Sequence, residues 1–219
     1  MTEINKSESG CIFVLATDME AEPFIRKLRM KRLTTDPVSL FSGSGALLAV
    51  SGVGKSNAAL TTAFCCVNFS PPTVLNLGCA GSVNPQFKRG SIFLVSKVIE
   101  PDRPHFRSGR PYLHLPALLP GFSEATLATQ DRPVITREER QLLSSATDLV
   151  DMEAAAVAQT ARRFHRQSLI FKFVSDTGEE EDPTDILPYV KEGGRAFCDF
   201  IIESVLPRVR EVGASGKGK

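Results

Sequence analysis

The stretch from Thr147 to Gly178, TDLVDMEAAAVAQTARRFHRQSLIFKFVSDTG, constrains this chain more than any other. Ala154, Val157, Ala158, Ala161 and Phe164 recur at i, i+3, i+4 spacing and predict a helix with one apolar face. A short apolar run at residues 149–151 precedes it, and a longer one rich in β-formers follows at 169–174. The second run is continuous rather than alternating, which predicts a strand covered on both faces. Strand, helix and strand make one βαβ unit. Its acids fall where strands end: Asp151 and Glu153 at the first strand-to-helix junction, Asp176 after Ser175 at the end of the second strand. Ligands of open α/β sheets bind beyond the carboxyl ends of the strands. An acid in a first helical turn also complements the helix dipole, and an Asp after a strand is an ordinary cap, so position alone does not make these residues catalytic.

A chain of 219 residues favours one domain with a substantial core. The net charge of +1 gives no electrostatic case for nucleic acid. No apolar run approaches the roughly 20 residues of a membrane span, so no membrane association is expected. The N-terminus lacks the apolar core of a signal peptide, and five scattered cysteines without a CxxC pair suggest reduced thiols. Both point to the cytoplasm. Residues 1–10 read as a flexible arm, 11–206 as a single domain and 207–219 as a flexible tail.

Residues 11–17 predict a buried strand, and Pro23 suits the first turn of a helix running to about Arg29. Glu20 and Glu22 therefore lie beside the end of that strand. Residues 38–42 and 46–51 predict a hairpin around Gly43-Ser44-Gly45. Gly52-Val53-Gly54-Lys55-Ser56 opens the next helix, to about Asn68, but it is not a phosphate loop: the glycine that motif needs five residues before Gly54 is Ala49, inside the strand. Residues 73–77 predict another buried strand, ending in a turn of small residues, Gly78-Cys79-Ala80-Gly81-Ser82, where a ligand or another backbone could come close. Strands are expected at 91–98 and 125–129, helices at 137–145 and 189–205. The proline-dense segment 100–124 reads as a long binding or interface loop. Its two histidines, His105 and His114, do not amount to a metal site, and none is expected. Residues 129–134 form a turn able to overhang the sheet edge, and 179–183 an acidic turn. Alternating elements of this kind give an α/β fold in which a mixed sheet is covered by helices.

Five segments in order carry the reading further: Ala16 with Met19-Glu20-Ala21-Glu22; Ser51 through Ala59; Asn76-Leu77-Gly78-Cys79-Ala80-Gly81; Asp151-Met152-Glu153-Ala154; and Val174-Ser175-Asp176. Together they resemble the purine nucleoside phosphorylase/nucleosidase superfamily, and most closely its hydrolytic branch of 5′-methylthioadenosine/S-adenosylhomocysteine nucleosidases, over residues 11–206. The resemblance implies a three-layer α/β/α fold, a homodimer, no cofactor, and cleavage of the N-glycosidic bond of a purine-type nucleoside. It implies Asp176 as the acid toward the base at N7, its neutral form favoured by burial, Glu22 as the base that activates water, and Glu153 as the residue gripping the ribose hydroxyls. It also implies substrate contacts from Met152, Asp151, Cys79, Ala80, Gly81, Ser175, Val134 and Lys172, with residues 130–134 covering the base. The acidic turn at residues 18–22 is unsuited to holding phosphate and favours water as nucleophile over phosphorolysis. A phosphorylase and a non-catalytic nucleoside-binding protein remain the alternatives. The family's usual Arg is Lys172 here, its aromatic over the base is replaced by Arg132-Pro133, and segment 100–124 differs. The nucleoside could thus be methylthioadenosine, S-adenosylhomocysteine, futalosine, adenosylhopane or another.

Overall fold

The computed structural model describes residues 10–178 and 186–215. The predicted acidic turn at 179–183 and nearly all of the predicted N-terminal arm lie outside them. The chain begins with strand β1 (Ile12–Leu15), all four residues of which are buried. Alternate side chains explain why no polar residue interrupts it. Phe13 and Leu15 face a core shared with Ala21 and Phe24 of helix α1 (Asp18–Lys27). Ile12 and Val14 face the opposite core, shared with Ala58 and Cys65 of α2 (Lys55–Phe69) and with Val157 and Ala161 of α4 (Ala154–Arg163). The sheet is thus sandwiched between helices, a three-layer α/β/α domain.

Parallel β1 and β4 (Ala46–Val50) are followed outward by the antiparallel β3 (Ser39–Gly43) and edge strand β2 (Lys31–Thr34). On the other side, β5 (Thr73–Ser82) pairs with β1, with β9 (Leu149–Asp151) and with β10 (Gln167–Asp176). From β10 the pairing runs on through β6 (Ile92–Pro104) and β8 (Glu124–Thr129) back to β9. Five strands therefore close into a ring, with α3 (Arg137–Ser144) crossing between β8 and β9.

Three expectations need correction. The small-residue segment 78–82 is not a turn: β5 continues through it because β10 pairs with it as far as Gly81. Segment 100–124 is not one long loop, since β6 extends to Pro104 and forms a hairpin with β7 (Pro111–His114). Prolines are tolerated there because β7 lies on the sheet edge. The final helix α5 (Ile186–Phe200) passes through a π turn (Ile201–Val205) into α6 (Leu206–Ser215), so residues expected in a flexible tail are helical. Strand β2 was invisible in sequence because its first three residues are exposed and carry no buried alternation.

Candidate active site

Beyond the carboxyl ends of β1, β5, β9 and β10 lies a cavity of about 410 Å³. Of the residues singled out from sequence, Cys79, Ala80, Gly81, Val134, Val150's neighbours Asp151, Met152 and Glu153, and Ser175 and Asp176 all line it. Arg132, Pro133, Val134 and Ile135 form a further wall, as the overhanging turn predicted.

Glu22 does not line the cavity. Its side chain is half exposed on the outer face of α1 and pairs with Arg26 at 2.5 Å. Glu20 lines the cavity instead, only 6 % exposed. It is the third residue of α1 and closes a capping box with Thr17, whose backbone N–H (3.0 Å) and hydroxyl (2.8 Å) both donate to Glu20 Oε2. The Cys79 N–H donates to Oε1 at 3.0 Å. Three of the roughly four acceptor positions of a carboxylate are then filled, leaving one for a small ligand. Gly78 permits the approach, since a Cβ there would lie 2.6 Å from Glu20 Oε1. The expectation that Glu22 faces the site is therefore corrected: Glu20, two residues earlier on the same helix, occupies that place.

Asp151 and Lys172 work beneath the site. Asp151 accepts from the Thr129 hydroxyl (2.6 Å), from the Ala154 N–H that opens α4 (3.0 Å), and from Lys172 Nζ (2.8 Å). Although Asp151 belongs to the cavity wall, its oxygens serve the helix start and the ion pair. Lys172, 2 % exposed, does not line the cavity, so direct substrate contact by Lys172 is also corrected. Burial opposes the lysine's charge, yet the Asp151 and Glu153 carboxylates more than offset this and hold its pKa above the ordinary value. Lys172→Met should destabilise the fold by about 3–5 kcal/mol, because it strands buried carboxylate charge. Urea unfolding at pH 8 checks this; a loss below about 1 kcal/mol would contradict it.

Glu153 sits at the N-cap of α4, and its Oε1 accepts the Gly54 N–H at 2.8 Å. In a phosphate loop an N–H of this kind would grip an anionic ligand; here it holds a side chain of the protein. Burial, and next the negative charge of Asp151, push the Glu153 carboxyl up to about 7 against the pull of Lys172 and the Gly54 N–H. With its native pKa above the unfolded value, Glu153 makes the native state bind more protons between pH 4.5 and 7. Stability present below that window is lost as pH rises through it, by roughly 3 kcal/mol. Glu153→Gln should flatten this slope; an unchanged profile of melting temperature against pH would contradict it.

Asp176 also lines the cavity. A register shift in β10 between Val174 and Asp176 re-aims this strand end. Asp176 Oδ1 accepts the Ser175 hydroxyl at 2.6 Å, and Oδ2 is ion-paired with Arg140 of α3. Arg140 was not singled out from sequence; at 8 % exposed it is the buried residue of a helix whose other residues are mostly charged or polar. Asp176 therefore has a guanidinium partner that was not expected from sequence. Cys79 is no nucleophile, because burial, and next the charge of Glu20, push its thiol well above the ordinary range.

The sequence profile of the phosphorylase superfamily matches residues 13–205. The chain belongs to that superfamily. It is 25% identical over 217 residues to the 5′-methylthioadenosine/S-adenosylhomocysteine nucleosidase of Bacillus cereus (strain G9842), covering 84% of this chain and 94% of that one. Its fold is similar to the 5′-methylthioadenosine nucleosidase of Arabidopsis thaliana in apo form, with a TM-score of 0.80 and 22% identity over 96% of this chain and 97% of that one. It is similar also to the native futalosine hydrolase of Helicobacter pylori, with a TM-score of 0.79 and 18% identity over 90% and 97%. As a superfamily member the chain carries its carboxylates on the elements expected from sequence, with Glu20 in place of Glu22.

Proposed function

We propose that this protein is a nucleosidase that hydrolyses the N-glycosidic bond of a 5′-substituted purine nucleoside. The observation carrying this reading is the charge layout of one cavity, whose wall holds the three carboxylates of Glu20, Glu153 and Asp176. Among the described residues the cationic side chains lining it are Arg132 and Arg140, and both are paired with carboxylates, Glu139 and Asp176. The nearby Lys172 lies beneath the wall, ion-paired with Asp151, so phosphate would meet the Glu20 and Glu153 acids with no unpaired cation in the wall, whereas neutral water meets an acceptor.

The chemistry follows from an oxocarbenium-like transition state. As the bond between C1′ and N9 breaks, its electron pair moves onto the base, and Asp176 delivers a proton to N7. Water adds its oxygen to C1′ and gives its proton to Glu20, the general base. Glu153 faces the ribose hydroxyls and Met152 packs on the sugar. The Bacillus cereus relative supports a 5′-thio-substituted adenosine, and the Helicobacter pylori structure a futalosine, as members of the substrate class. Exposed Leu60 and Val67, seven residues apart on α2, support a homodimer. No helix among the described residues is long and apolar enough to cross a membrane, and five free thiols suit the reducing cytoplasm. Incubation with 5′-modified adenosines and inosines should release free base catalytically; binding without release would leave a nucleoside-binding protein instead.

A further inference from the structure

We infer that Arg140 makes the base end of the cavity select purines carrying an oxygen, rather than an amino group, at C6. The inference rests on the nucleosidase reading of the cavity and narrows its substrate class. The guanidinium is a built feature. Arg140 Nη1 donates to the Ser82 carbonyl (2.8 Å) and Nη2 to the Val134 carbonyl (3.1 Å), while Nη2 also meets Asp176 Oδ2. Two glycines clear its place: a Cβ at Gly178 would lie 2.6 Å from Arg140 Cδ, and one at Gly81 would lie 3.2 Å from Nη1 and 2.8 Å from Asp176 Oδ2.

Those three bonds use three of the five guanidinium hydrogens. Nε is buried with no acceptor among the described residues, and Nη1 retains one hydrogen. With Nε closed off against Gly178, the unspent Nη1 hydrogen of this buried cation in the cavity wall calls for an acceptor on the ligand. The N7–C6 edge of a purine supplies one or refuses one: a 6-oxopurine shows two acceptors, N7 and O6, whereas adenine shows N7 and an amino donor. Against Arg140 beside Asp176, O6 receives the guanidinium and N7 faces the carboxyl. Adenine would set its amino group against a cation that has only donors to offer.

Proton transfer reinforces the choice. A 6-oxo base draws guanidinium hydrogen bonds toward O6 and loosens their hold on Asp176, so the carboxyl can carry the N7 proton. A 6-amino base offers no such acceptor and leaves the ion pair closed. Selectivity then appears in kcat as well as in binding.

The test compares kcat/KM for 5′-deoxy-5′-methylthioinosine and 5′-methylthioadenosine with the intact protein. The inosine should be favoured by roughly 10- to 100-fold, the discrimination that a specific base-edge contact supplies. In Arg140→Met, which keeps the apolar stem, the ratio should fall toward one. Equal or better use of the adenosine by the wild type, or an unchanged ratio in Arg140→Met, overturns the inference. Competition of free hypoxanthine and adenine for the wild-type protein reads the same preference if the variant does not fold. Preferred hypoxanthine binding without cleavage of any nucleoside would sink the hydrolase reading and leave this one standing. Equal binding of the two bases, or binding of neither, overturns it.

Discussion

Replacing Glu20 by Gln lowers kcat by about 10³-fold, the scale of a lost general base, while Glu22→Gln leaves kcat within about twofold of wild type. The two residues are neighbours in composition and opposites in surroundings. Glu20 is buried against Thr17 and Cys79 in the cavity wall; Glu22 is half exposed and paired with Arg26. Gln at position 20 keeps one acceptor oxygen, which can take both Thr17 donors and complete the capping box, while its NH2 then faces the Cys79 N–H; the fold should survive with some loss of stability. Melting temperature and steady-state kinetics of both variants, measured together, separate chemistry from stability. A large loss in Glu22→Gln with an active Glu20→Gln would reverse the assignment.

Asp176→Asn should lower kcat by about 10²–10⁴-fold by removing the proton donor to the base. It also leaves the Arg140 guanidinium buried opposite an amide, and uncompensated buried charge is costly to the fold. The double variant Asp176→Asn with Arg140→Met removes that charge. Expected is a recovery of melting temperature toward wild type with no recovery of kcat. If the double variant regained turnover along with stability, Asp176 would be a structural partner of Arg140 and not the acid.

The helix that carries Glu20 also shows what sequence could and could not decide. Residues 20 and 22 are about 200° apart around a helix, so only one can face the cavity. The signal for the right one was present. Glu20 lies in line with Phe24 and Leu28 at intervals of four, both buried, whereas Glu22 stands four residues before Arg26, the spacing of a solvent-facing ion pair. Family motif spacing pointed to Glu22; helical periodicity and the Thr17-to-Glu20 capping box pointed to Glu20. Strands β1 and β10 were legible because both are buried along their length and read as apolar runs, broken in β10 only by Lys172. Segment 78–82 was not, because glycine and small residues look alike in a turn and in a strand pressed against its neighbours. Arg140 was missed for a different reason. Five charged or polar neighbours on α3 hide one arginine that the tertiary fold buries against Ser82, Val134 and Asp176, partners up to 58 positions away in the chain.

The Lys172–Asp151 pair and Glu153 make one electrostatic unit under the site. The lysine stays charged because two carboxylates face it, and Glu153 is pushed up because burial and Asp151 both disfavour its anion. Glu153 therefore changes charge near neutral pH, close beside Glu20, to which the proposed mechanism assigns the water-activating step.

The proposal that acids without a free cation turn this cavity toward water rests most directly on the fate of the sugar. A purified, phosphate-free enzyme is given a 5′-substituted purine nucleoside with and without inorganic phosphate, and products are followed by ³¹P and ¹H NMR. Base and free pentose should form at the same rate in both, with no sugar phosphate. Base release only when phosphate is present, accompanied by a pentose 1-phosphate, would contradict the account.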